Sequence, residues 1–161
     1  MAGTVNEAAV PYDQRPGFLF DTSVLVAGLV ELHPDHAPAR RWLTRALLGE
    51  IRLLVSRHSL AECYAALTRL PLKPPVDPQD AFRLIEQSLL GACRATTISL
   101  DEPAYVGVLT RCARAGHRGG IIHDAIIGQC AVVAGVPLVT ANIRHFQRLF
   151  PDGNLTIIPP S

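Results

Sequence analysis

Three carboxylates, Asp21, Glu62 and Asp124, stand where their surroundings invite chemistry. Asp21 ends the apolar run Gly17-Phe18-Leu19-Phe20. Its plain structural role is to cap the helix that follows, but Ser23 offers the same service and leaves Asp21 free. Asp124 sits in the first turn of an apolar segment, residues 121–134. Ile122, Ile126 and Val133 line the side opposite its own neighbours, so this helix reads as buried all round. Asp124 is then either a first-turn acid favoured by the helix dipole or an ion ligand, because a buried charge is costly without a partner. The rarity of fully buried Asp favours the second. Glu62 reads the other way. The stripe Leu60, Cys63, Tyr64 and Leu67 places it on the opposite, solvated face, and only Ala65 and Ala66 leave room there for another element. Thr140 and Asn142 add oxygens and His145 a ring nitrogen, with capping and turn formation as their plain roles.

Oxygen-rich groups of this kind suit hard divalent cations, Mg²⁺ or Mn²⁺. Carboxylates holding such ions beside a phosphodiester can generate a hydroxide nucleophile and stabilise the leaving oxygen. Without the ion, the acids would repel one another and any phosphate.

The elements must bring these groups together. Residues 17–20 form a short buried strand between Pro16-Gly17 and a helix start. Helices are predicted over 22–32, 38–48, 58–70, 80–90, 102–115, 121–134 and 143–150. Strands are predicted over 51–55, 95–100, 137–140 and 155–158. The proline-rich stretch 71–78 and the glycine-rich 116–120 read as loops. Strands alternating with helices imply an α/β chain with a central parallel sheet and helices on both faces. In such sheets ligands sit outside the carboxyl ends of the strands, where Asp21 and Thr140 fall.

The chain has 161 residues, 48% hydrophobic and 18% charged, enough for one well-buried domain and too apolar for disorder. Residues 1–16 read as a flexible leader before a single domain over 17–161. The net charge of +1 excludes the electrostatic sheath of a strong non-specific nucleic-acid binder. No apolar run reaches the length of a membrane span, and the polar start argues against a signal peptide. Cys63, Cys93, Cys112 and Cys130 are scattered, which fits reduced core thiols in a cytoplasmic protein and excludes a zinc ribbon.

Four stretches in order resemble PIN-domain proteins, specifically the VapC-like toxins of bacterial type II toxin–antitoxin pairs. They are Phe18-Leu19-Phe20-Asp21-Thr22-Ser23, Ser59-Leu60-Ala61-Glu62, His123-Asp124-Ala125-Ile126-Ile127, and Leu138-Val139-Thr140-Ala141-Asn142-Ile143-Arg144-His145-Phe146. The resemblance spans about residues 17–158. It implies a three-layer α/β/α sandwich and a Mg²⁺- or Mn²⁺-dependent endoribonuclease acting on RNA. It also implies inhibition by a cognate antitoxin, and a homodimer. Carried over by position, Asp21, Glu62 and Asp124 become the acidic metal ligands, with Ser23 beside the first as a supporting group. The fourth motif departs from the family pattern. An Asp is common where His145 stands, and Asn142 occupies a position that is Asp or Asn. Asn142 can still offer a neutral oxygen, Thr140 a supporting one, and His145 either meets substrate or faces solvent. The alternative is a PIN-like RNA- or protein-binding scaffold with a weakened site. A phosphatase built on Asp21 would want a second Asp where Ser23 stands.

Two basic clusters could meet RNA phosphates or simply face water: Arg40, Arg41 and Arg45, and Arg111, Arg114, His117 and Arg118. Arg118 is favoured because Gly119 and Gly120 place it on a loop near Asp124. His33 and His36 are spaced like metal ligands, but Pro34 between them marks a turn and no further ligand is evident. Leu25, Val26, Leu29, Val30, Trp42 and Leu43 offer more apolar surface than one core layer needs, which suits an antitoxin helix or a dimer contact.

Overall fold

The computed structural model describes residues 10–161. The first nine residues of the expected leader lie outside the described residues. The rest of that segment is tied down: Tyr12–Gln14 forms a 3-10 turn, and the Arg52 guanidinium donates to the Arg15 carbonyl at 2.9 Å.

Five parallel strands form one sheet in the order β3-β2-β1-β4-β5. They are β1 (Gly17–Phe20), β2 (Arg52–Ser56), β3 (Thr96–Ile98), β4 (Leu138–Val139) and β5 (Ile157–Ile158). The helices are α1 (Thr22–Leu29), α2 (His36–Leu47), α3 (Arg57–Thr68), α4 (Pro78–Leu84), α5 (Glu102–Arg114), α6 (Ile121–Ala134) and α7 (Ile143–Leu149). The α4 helix runs directly into a π-helical turn over Ile85–Ala92. The expected strands and helices are all present. The outer strands are shorter than predicted, and α1 stops three residues early, before the turn at His33-Pro34.

Side chains alternate across the pleat, and this divides the core. Phe20, Leu53, Val55 and Val139 point to one face and pack against Val24, Leu25, Leu43, Cys63, Leu67 and Leu89. Leu19, Leu54 and Leu138 point to the other and meet Ile127, Cys130, Phe146 and Phe150. Helices α1 to α4 therefore cover one side and α6 and α7 the other, with α5 packed on α6 through Val108, Cys112 and Ile126. This is the three-layer α/β/α sandwich.

Two expectations about apolar surface need correction. The surplus assigned to the first two helices is absorbed. Leu25 and Leu43 are buried, and Val26, Leu29, Val30 and Trp42 are half-buried against the same core, where Trp42 meets Phe18 and Phe20 edge-on. The exposed large apolar side chains are others, among them Leu47 and Leu48 at the end of α2, Leu32, Phe82, Val106 and Val133. Helix α6 is also not buried all round, because Val133 is 57% exposed. One face of α6 lies on the sheet and another on α5, and the remainder meets water. All four cysteines are buried and unpaired. Burial pushes the Cys63 thiol up to about 12 and Cys130 to about 11, so these are core groups and not nucleophiles.

Candidate active site

The sheet order changes direction between β1 and β4, which makes their carboxyl ends the switch point of the sheet. Phe20 pairs with Val139, and the Asp21 N–H donates to the Val139 carbonyl at 2.9 Å. Asp21 and Thr140 therefore leave neighbouring strands side by side. The N-termini of α1, α6 and α7 and the first turns of α3 open onto the same edge of the sheet.

Asp21 occupies the N-cap position of α1, yet its carboxylate caps nothing there. Ser23, expected as an alternative cap, lies inside the helix and instead donates from Oγ to Asp21 Oδ2 at 2.7 Å. Thr140 Oγ1 donates to the same oxygen at 2.8 Å and accepts from the Asn142 N–H at 3.0 Å. Asp21 is only 2% exposed. Burial raises its pKa above the ordinary value. The Ser23, Thr140 and Thr22 hydrogen bonds oppose that rise, and Glu62 adds to it.

Glu62 is half-buried, not solvated. Its Oε2 accepts from Thr22 Oγ1 at 2.8 Å, a bond spanning 40 residues that ties α3 to the start of α1. Asp124 is also half-buried, and its pKa is pushed up to about 6. Burial is the main cause, the charges of Asp21 and Glu62 act in the same sense, and His145 and His123 oppose it. The three acids thus lie near enough to feel one another's charge. Among the described residues, no arginine or lysine is paired with any of them, although the chain carries fourteen arginines. A nearly buried carboxylate near two more, with no Arg or Lys partner, is an oxygen-rich set of the kind that hard divalent cations favour.

The fourth motif is built differently. His145 does not face solvent freely: its Nδ1 lies 2.9 Å from Asp124 Oδ2 and the ring is half-buried. Asn142 is exposed at the N-cap of α7, and its side chain makes no capping bond. A cavity of about 630 Å³ opens beside them, lined by Asn142, Arg144, His145 and Arg148. Arg118 is exposed on the loop before α6, in a turn where Gly119 takes φ +63°. His33 and His36 form no metal site. His33 Nδ1 accepts from the Asp35 N–H, and His36 bonds the Ala27 carbonyl at 2.9 Å.

Two histidines enter the site without having been singled out. His58 Nε2 lies 2.7 Å from His123 Nδ1 and 3.9 Å from Glu62 Oε1. Burial pushes His58 below the ordinary imidazole value; His123 acts in the same sense and Glu62 opposes it. The available sequence signal was the one-turn spacing of His58 and Glu62 and the adjacency of His123 to Asp124. Sixty-five residues separate the two histidines, so their meeting depends on the fold.

This sheet order, with acids near its switch point, defines an α/β fold with a ligand site at its strand ends. Residues 18–149 match the PIN domain, and the chain belongs to that family. It is similar to Ribonuclease VapC40 of Mycobacterium tuberculosis, at 33% identity over 127 residues, covering 79% of this chain and 87% of that one. It is similar also to Ribonuclease VapC27 of the same organism, at 29% identity over 133 residues, covering 81% and 88%. The fold is shared with the DNA-bound VapBC complex of Salmonella typhimurium, at a TM-score of 0.62 and 21% identity over 91% of this chain and 99% of that one.

Proposed function

We propose that the protein is a metal-dependent endoribonuclease toxin, neutralised by a cognate antitoxin. The observation that carries this reading is the set of three mutually interacting acids near the β1/β4 switch point, one buried and two half-buried, with no Arg or Lys partner among the described residues. The ribonuclease names of its two curated relatives support it.

Asp21, Glu62 and Asp124 would hold Mg²⁺ or Mn²⁺, and Asn142 would add a neutral oxygen from the start of α7. A bound divalent ion supplies Lewis acidity, lowering the pKa of water and offsetting charge on the scissile phosphate. The chain's own residues set the geometry. Ser23 and Thr140 fix one oxygen of Asp21, and Thr22 fixes one oxygen of Glu62, so the remaining lone pairs are aimed before any ligand arrives. His145, hydrogen-bonded to Asp124, stands between the acids and the arginine-lined cavity, where it can carry a proton to or from the reacting phosphodiester. Arg144 and Arg148, with Arg118 across the loop, meet flanking phosphates of the RNA. The antitoxin acts by covering this edge of the sheet, and the working unit is a homodimer in the cytoplasm. Among the described residues no helix is long and apolar enough to cross a membrane.

The test is cleavage of RNA by the purified chain with and without Mn²⁺, beside Asp124→Asn. Cleavage that needs the ion and is lost in the variant supports the reading. RNA binding without cleavage by the parent would make the protein a scaffold, as the His145 replacement allows. Equal cleavage by both proteins would trace the activity to a contaminant and remove the enzyme.

A further inference from the structure

The two oxygens of Glu62 face different neighbours. Oε2 is held by Thr22 on the side of Asp21, while Oε1 looks toward His58, 3.9 Å away. His58 Nε2 in turn meets His123 Nδ1 at 2.7 Å, with ring planes 15° from parallel. The three ligand atoms lie within 4.8 Å of one another. His58 and Glu62 stand one helical turn apart on α3, and His123 comes from the first turn of α6. His123 is exposed and the other two are half-buried, so an ion can enter from solvent.

We propose that His58, His123 and Glu62 Oε1 form a second, nitrogen-rich cation site selective for a late first-row divalent ion of the Zn²⁺ type, with Glu62 bridging it to the carboxylate pocket. The donor sets differ in kind. Imidazole nitrogens suit Zn²⁺ and its neighbours, whereas the oxygens of Asp21 and Asp124 suit Mg²⁺ or Mn²⁺. Two imidazoles and one carboxylate make a three-ligand set that leaves a coordination position open. The spacing requires the histidine rings to turn toward a common point and Glu62 Oε1 to close in from 3.9 Å. Two nitrogens each about 2.05 Å from a tetrahedral ion lie roughly 3.3 Å apart. The histidine pair must therefore open by about 0.6 Å, exchanging its shared proton for the ion.

The site shares Glu62 with the proposed nuclease centre but does not rest on catalysis, so the test reads binding and uses no RNA. Chelator-stripped protein is titrated calorimetrically with Zn²⁺ and, separately, with Mg²⁺, and Co²⁺ serves as an optical probe of coordination by nitrogen. With saturating Mg²⁺ present to fill the carboxylate pocket, one tight Zn²⁺ per chain is expected. The double variant His58→Ala, His123→Ala should weaken Zn²⁺ by more than the roughly 10–100-fold that loss of a supporting group costs, while Mg²⁺ binding persists. Asp124→Asn should show the converse, keeping Zn²⁺ and losing Mg²⁺. His117→Ala, altering an imidazole outside the cluster, should leave Zn²⁺ unchanged. The pair His58→Gln, His123→Asn, checked by near-ultraviolet circular dichroism, separates lost ligation from lost folding. Absence of Zn²⁺ binding by the parent chain, or unchanged affinity in a folded double variant, overturns the proposal. Failure of RNA cleavage alone would leave it standing.

Discussion

Replacing Asp124 with Asn should stabilise the metal-free protein and abolish its response to Mn²⁺. Asp124 is held at about 6 in the folded chain, against 3.8 when unfolded, chiefly by burial and by the charges of Asp21 and Glu62. A folded pKa above the unfolded one means that the native state binds more protons between the two values. Stability therefore falls as pH rises from about 4 to about 6 and stays low above that. The ceiling on this penalty at neutral pH is ~3 kcal/mol. Asp124 keeps a quarter of its side-chain surface in water, so solvent screening brings the figure to roughly 1–2 kcal/mol. Asn keeps the shape and can still bond His145, but carries no charge. In chelator at pH 7.5, Asp124→Asn should melt roughly 2–8 °C above the parent, from the usual slope for a chain of this size. The gain should shrink as pH falls through 6 and vanish near 4. Saturating Mn²⁺ should then raise the parent's Tm and leave the variant's unchanged, since only an ion that binds the native state stabilises it. Differential scanning fluorimetry across pH and Mn²⁺ concentration reads all of this. A variant that melts below the parent in chelator, or that gains equally from Mn²⁺, would refute the reasoning.

Other outcomes follow from the same geometry. Thr140→Val removes the buried hydroxyl that donates to Asp21 and accepts from the Asn142 N–H. It should cost about 1–3 kcal/mol in urea unfolding and weaken Mn²⁺ binding measured by calorimetry. Gly128→Ala places a methyl against the ring of Phe150 on the α6–α7 face. It should cost roughly 1–3 kcal/mol by overpacking, and Phe150→Leu in the same chain should recover part of the loss. His145→Ala removes the partner of Asp124. It should lower the turnover of RNA more than the affinity for Mn²⁺, which a comparison of single-turnover rates with calorimetric titration can separate.

Much of the fold was legible because local and global signals agree. Short apolar strands alternate with helices, and Pro and Gly punctuate them where the chain turns. Asp21 was legible for a similar reason: a charge at the end of a buried strand has few structural uses, and Ser23 removed the main one on paper. Ser23 in fact serves Asp21 directly, a relation that spacing does not distinguish from capping. Glu62 was masked because the helical stripe describes one packing face, whereas α3 also touches the start of α1 through Thr22. The same limit applies to α6, where uniform hydrophobicity hid the exposed side at Val133. The meeting of His58 with His123 depends on the placement of two helices across the sheet edge, which no local pattern contains. The apolar side chains of α1 and α2 show the opposite effect: they looked surplus because the sequence does not reveal how much area the sheet face and the π-helical turn would cover.

The most direct test of the shared-ion site is diffraction from crystals soaked with Mn²⁺, with data collected at the manganese absorption edge. An anomalous peak about 2.0–2.4 Å from carboxylate oxygens of Asp21, Glu62 and Asp124 together is expected. A peak that touches only one of the three acids, or none at the β1/β4 edge, would contradict it.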